Sequence, residues 1–274
     1  FLPEDPDEAA AEHHRVLTAE LYPYESVFLD PSGLLGGQHA SQVRLALAGF
    51  GVAGRDDLEP DHLANQLAAL SFLCGAELDA VTDGRGGQLL RIREAQRRLL
   101  DEHLLRWLPA CGVALEQLDS PLYAAAVGLL LELAADHRAG LAGAAPIWTL
   151  AEPPQLLEDP RTDLKAISRH LVCPVFAGGF LSQTALTRIG RELDLPRGFG
   201  KRWQVLENLL RSGVHYERFG DLVAALDAQL QAWQTRYRAL ASCGLPTGAW
   251  TERVDETRSL LERLRAGAER SAPV

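Results

Sequence analysis

Apolar positions along the chain recur every three or four residues, the period of an α-helix. Leu63, Leu67, Leu70, Cys74 and Leu78 fall on one helix face, in a stretch rich in Ala and Leu. Pro60 and Asp61 suit its first turn, where a missing N–H costs nothing and a carboxylate meets the positive end of the helix dipole. Asp61 and His62 are therefore expected at the surface, ahead of an apolar stripe that begins at Leu63. The same period predicts a helix over 8–22 stopped near Pro23, and one from Leu89 to about Trp107 stopped near Pro109. A helix over 121–135 carries so little charge that it is expected at the centre. Ser182 reads as the N-cap of a helix ending before Pro196. A further helix is expected over 202–211, and Leu222, Leu226, Leu230, Trp233, Tyr237 and Leu240 line one face of a long one. The last, over 252–265, is strongly charged and expected on the surface. The apolar run 172–180 is broken by Pro174, Gly178 and Gly179, and no segment alternates as a strand would. The pattern predicts an all-α fold.

Between 140 and 163, Pro146, Pro153, Pro154 and Pro160 interrupt the helical period. A proline-rich linker over 141–165 is therefore expected between a helical core at 8–140 and a C-terminal helical region at 166–267. No internal repeat is visible.

Composition narrows the function. A chain of 274 residues, 47% apolar, can bury a full core without staples. Its formal net charge of −10 repels phosphate backbones, so nucleic acid is not the expected partner, whereas a basic peptide is. Cys74, Cys111, Cys173 and Cys243 form no CxxC pair and read as reduced thiols. The longest apolar run, 122–131, is about half a bilayer span, so no stable membrane insertion is expected. No secretory signal is read at the start; beginning at Phe1 and lacking methionine, the chain is expected to have lost N-terminal residues.

Motifs for catalysis are missing: there is no HExxH, GxSxG or GxGxxG. The adjacent His13 and His14 point in different directions on a helix, which argues against a metal, and no cofactor is expected. Gly33 to Gly37 lacks a phosphate-loop lysine, and Gly200-Lys201 is preceded by Leu195 where such a loop has its first glycine. Residues 181–210 outline two helices with Arg188, Arg191, Arg197, Lys201 and Arg202, the alternative being a helix-turn-helix DNA reader. Glu59-Pro60-Asp61-His62 heads the most regular helix, and His103 and Trp107, four apart, share a face.

Taken in order, Tyr22 to Gly37 (YPYESVFLDPSGLLGG), Glu59 to Leu67 (EPDHLANQL) and Leu100 to Pro109 (LDEHLLRWLP) resemble segments of the TorD/DmsD/NarJ family of molybdoenzyme chaperones. The resemblance implies an all-helical bundle with a helical C-terminal extension here, and a cytoplasmic, non-enzymatic chaperone. Its implied partners are the twin-arginine signal peptide and the apo form of a molybdopterin oxidoreductase subunit. The peptide-binding residues it implies are Asp61 and His62, with Glu59 and Pro60 shaping the turn, and Tyr22, His103 and Trp107 beside them.

Overall fold

The computed structural model describes residues 5–52, 57–144 and 146–271. The reading of the chain's start at Phe1 lies outside them. The fold is all-α. Helix α1 (Pro6–His14) runs into a π-helical turn (Arg15–Glu20), followed by α2 (Glu25–Leu29), α3 (Gly37–Gly49) and α4 (Leu63–Thr82). A long rod comes next: α5 (Gly86–Leu99), a π-turn (Leu100–Leu104) and α6 (Leu105–Glu116). Then come α7 (Pro121–Ala139), α8 (Leu164–Val172), α9 (Pro174–Ala177), α10 (Gln183–Glu192), α11 (Arg202–His215), α12 (Phe219–Ser242) and α13 (Gly248–Ser271). Among the described residues there is no strand, only an isolated bridge between Tyr24 and His62.

Helix α6 is the axis of the core. From Trp107 to Leu115 every residue is buried. Pro109 therefore does not stop this helix, contrary to the sequence expectation. Proline removes one ladder hydrogen bond and crowds the preceding turn, but here the burial of a whole turn on either side outweighs that cost. The preceding π-turn marks where the ladder loosens. The centre was expected at α7, yet only Val127, Leu131 and Ala134 of that helix are buried, and Leu129 and Leu133 stand largely in solvent. Low charge is shared by a buried helix and by a helix with an uncovered apolar face, so it did not distinguish them.

Helix α13 also departs from expectation. Trp250, Val254 and Leu261 are buried, and even the charged Arg253 points inward, donating to the Ala151 and Val175 carbonyls. Trp233, Tyr237 and Trp250 form a run of rings 5.7 and 6.2 Å apart. The Trp250 indole donates to the Arg106 carbonyl at 2.8 Å, fastening α13 to α6. Ser182 caps α10 as expected, its Oγ accepting the Ala185 N–H at 3.0 Å. The broken run at 172–180 forms α9, closed by Gly178 in the left-handed region, whose carbonyl accepts the Tyr237 hydroxyl. One hydrophobic core extends from Val16 to Leu261, and a smaller cluster of Val43, Leu47, Ala69, Leu73 and Leu99 holds α3, α4 and α5 together.

Gly178 meets two constraints at once: its φ is +76°, and a Cβ there would lie 2.6 Å from the Val254 nitrogen. Gly178→Ala is expected to destabilise the fold by about 2–4 kcal/mol through left-handed strain and overpacking. Urea denaturation checks this as a lowered midpoint with an unchanged slope.

Candidate functional site

The segment before α2 and the segment before α4 meet as two short extended pieces. Leu63 N–H donates to the Pro23 carbonyl at 2.9 Å, and Glu25 N–H donates to the Asp61 carbonyl at 3.1 Å. The Asp61 carboxylate then accepts the Ser26 N–H at 2.8 Å. Asp61 thus satisfies two of the first N–H groups of α2 from 35 residues away, as an N-cap does locally.

This placement corrects the expectation that Asp61 lies at the surface of a first helical turn. Asp61 is fully buried, and α4 begins only at Leu63. Asp61 lies in the turn closed by the His62 N–H on the Glu59 carbonyl, and His62 is extended where it is bridged to Tyr24, so the helix starts only after it. Burial pushes the Asp61 carboxyl up, while its bonds to Ser26 oppose that rise. Its second oxygen, Oδ1, is buried without a hydrogen-bond partner.

His62 is the N-cap of α4: its Nδ1 accepts the Ala64 N–H at 3.0 Å. An accepting Nδ1 requires the neutral ring with its proton on Nε2. The ring packs edge-on against Tyr24, centroids 4.6 Å apart. Asn65 donates to the Glu59 carbonyl at 3.0 Å, which fixes the Glu59-Pro60 turn against α4. The Glu59 side chain itself is 52% exposed, 4.0 Å from Arg44, and Tyr22 is 43% exposed.

Beneath this junction lies a polar chain. The buried Trp107 indole donates to Gln66 Oε1 at 3.2 Å, and Gln66 Nε2 donates to the Glu25 carboxylate at 2.8 Å. His103 Nδ1 lies 3.3 Å from the same carboxylate, and His39 Nδ1 lies 3.8 Å away. Glu25 is almost fully buried, and burial alone would raise its pKa. The hydrogen bond to His103, the nearby His39 ring and the charge of Arg106 outweigh that, holding the carboxyl below its ordinary value.

The structure therefore sorts the seven residues singled out in the sequence into two layers. Tyr22 and Glu59 are exposed, Pro60 and His62 are half-buried, and Asp61, His103 and Trp107 are buried. His103 and Trp107 reach the upper layer only through Glu25 and Gln66, which sequence reasoning passed over. Gln66 carried a signal, being a polar residue next to the apolar stripe of α4 and four residues from His62. Glu25 carried none beyond its place beside Tyr24. Among the described residues, no cluster of three or more His, Cys, Asp or Glu side chains could hold a metal.

Two variants test this construction. Asp61→Ala leaves the α2 N–H groups uncapped and is expected to cost about 1–3 kcal/mol in thermal or urea unfolding. Glu25 has a depressed folded pKa, so its stabilising contribution is complete above the ordinary value of 4.5 and is lost as pH falls through the folded pKa. Glu25→Gln should be less stable than the parent at neutral pH, and the gap should narrow through that acid window. A constant difference across the titration would show that the carboxylate is not ionised in the fold.

Residues 2–112, which include this whole site, match the family profile of the nitrate reductase delta subunit. Relatives match over a similar stretch. The TorD chaperone protein of Vibrio cholerae is 41% identical over 112 residues, which is 40% of this chain and 49% of the relative. The selenate reductase assembly chaperone protein of Thauera selenatis is 45% identical over 94 residues, 33% of this chain and 46% of the relative. The chlorate reductase assembly chaperone protein of Ideonella dechloratans is 38% identical over 82 residues, 30% and 41% of the two chains. In each case the match spans about half the length of the relative or less. No solved structure matches the chain significantly. Residues 2–112 are thus similar in sequence to the nitrate reductase delta subunit family and to TorD-type and reductase assembly chaperones.

Proposed function

We propose that the chain is a cytoplasmic assembly chaperone, not an enzyme, that binds the twin-arginine signal peptide of a molybdopterin-containing oxidoreductase subunit and holds its apo form until the cofactor is loaded. Relatives named as TorD and reductase assembly chaperones match over the segment that contains the entire site. The observation that carries the reading is the pairing of an exposed rim with a rigid floor. Tyr22, Asp57 and Glu59 present aromatic and acidic groups to solvent. Asp61, Glu25 and Gln66 hold the backbone beneath them in place. The half-buried Leu63, Leu67 and Leu70 of α4 continue from the rim. A leader with a basic start and an apolar centre suits a surface of that order.

Glu59 and Tyr22 are then the contact residues, Pro60, Asp61 and His62 shape the turn, and His103 and Trp107 support it from below. The C-terminal helical region is read as packing with the core as one unit, through Trp250 on Arg106 and through Arg236, which pairs with Glu116 at 2.5 Å. Helical packing also accounts for residues 181–210: Arg202 of the basic set donates to the Val172 and Leu181 carbonyls and lies over the Phe180 ring, unavailable to DNA. No described helix is long and apolar enough to cross a membrane.

Calorimetric titration with a synthetic twin-arginine leader tests the proposal. Tyr22→Ala combined with Glu59→Gln is expected to weaken binding roughly tenfold or more with an unchanged melting temperature, since a charge-assisted contact is worth about 1.5–3 kcal/mol. Unchanged affinity would remove the rim from the peptide site, and no binding by the parent chain would remove the function.

A further inference from the structure

Away from the peptide rim, a cleft of about 1160 Å³ opens between the loop at Pro31–Leu34, the irregular segment around 154–162, α8 and the start of α11. Only that first loop belongs to residues 2–112. Four cations line the cleft, Arg161, Arg169, Lys201 and Arg202, against two carboxylates, Glu158 and Asp159. In a chain of net charge −10 this is a local reversal of sign.

Most arginines on this molecule are neutralised by a neighbouring carboxylate: Arg97 by Glu94 and Asp101, Arg138 by Asp101, Arg236 by Glu116, Arg258 by Asp227. In the cleft, Arg161 pairs with Asp159. Among the described residues, Arg169, Lys201 and Arg202 make no ion pair, nor does Lys165 just behind them. The charges of Arg169, Arg202 and Lys165 are met by π-faces and, for Arg202, by carbonyls instead. Arg169 and Lys165 lie 4.8 and 5.6 Å from the Trp203 ring centre, and Arg202 lies 4.2 Å from that of Phe180. Such contacts compensate only part of a charge withdrawn from water. Burial accordingly pulls the Arg202 guanidinium down to about 10.

Two more features point the same way. Lys201, Arg202 and Trp203 are the N-cap and first turn of α11, a helix of 14 residues, so its positive dipole end faces the cleft. His170 is buried in the cleft wall, and its Nδ1 has no hydrogen-bond partner.

We propose that this cleft binds a small phosphate-bearing ligand, gripped by Arg169, Lys201 and the N-terminus of α11, with Trp203 as a flat wall. An acidic polypeptide would need positive charge spread along a groove, whereas here it converges on one helix start and the facing turn of α8. No phosphate-loop sequence precedes Lys201, so the site is assembled from side chains and a helix end rather than from a glycine-rich cradle. The inference stands independently of the peptide-binding reading.

Inorganic pyrophosphate titrated into the full chain at low ionic strength, followed by calorimetry, tests it. Arg169 and Lys201 are exposed, so R169Q/K201Q should keep the parent melting temperature. Expected are saturable binding at one site per chain, a loss of roughly tenfold or more in R169Q/K201Q, and no loss in R191Q, an exposed arginine outside the cleft. The fluorescence change on binding should disappear in Trp203→Phe. Absence of saturable binding, equal affinity in R169Q/K201Q, or binding of poly-glutamate but not pyrophosphate would each overturn the proposal.

Discussion

The buried carboxylate of Glu25 is the constraint around which the N-terminal half is arranged. It stands at the first residue of α2 and is reached by Gln66 from α4, by His103 from the π-turn before α6 and, at longer range, by His39 from α3. A carboxylate taken from water is tolerated only when donors surround it. These donors come from separate elements far apart in sequence, so satisfying one charge orients four elements together. Replacing Glu25 with an apolar residue would free the α2 end to slide. The hydrophobic contacts around Phe28 and Trp107 do not specify a register by themselves, whereas the polar chain from Trp107 through Gln66 to Glu25 does.

Asp61 extends that constraint to the surface. Because its main chain and side chain both serve α2, the Glu59-Pro60 turn cannot move without uncapping a helix. The exposed side chains of Tyr22 and Glu59 are thus carried by a backbone whose fluctuations are limited from below. A rim built this way loses little conformational entropy when a partner docks. His62 contributes similarly: by capping α4 with Nδ1 it fixes its own ring, and the ring in turn seats Tyr24.

Most of the helices were legible because a period of three or four survives in any sequence that buries one face. The long face of α12 and the Ser182 cap are read directly from such local signals. What failed were inferences that depend on the other side of a contact. Whether α7 is central depends on what covers Leu129 and Leu133, and whether Pro109 ends a helix depends on how much its neighbours bury. Asp61 failed for the same reason, since its buried position follows from Ser26 and Glu25, 35 residues upstream or more. The motif around it nevertheless pointed to the right place: a carboxylate and an imidazole at a helix start signal a specified junction whether their role is contact or support.

Charge is distributed differently in the two halves. In residues 2–112 the ionisable groups of the site are either exposed acids or are held inside hydrogen bonds that the fold requires. A group already committed to several structural bonds is poorly placed to exchange protons. In the C-terminal region the balance reverses at α8 and α11, where cations face a cleft without carboxylate partners. Arg169 and Lys201 stand exposed there without a carboxylate partner, although acidic residues are plentiful elsewhere on this chain. Their retention beside Trp203 is understandable if the compensating charge arrives from outside, and the region beyond residue 112 then has a binding task of its own.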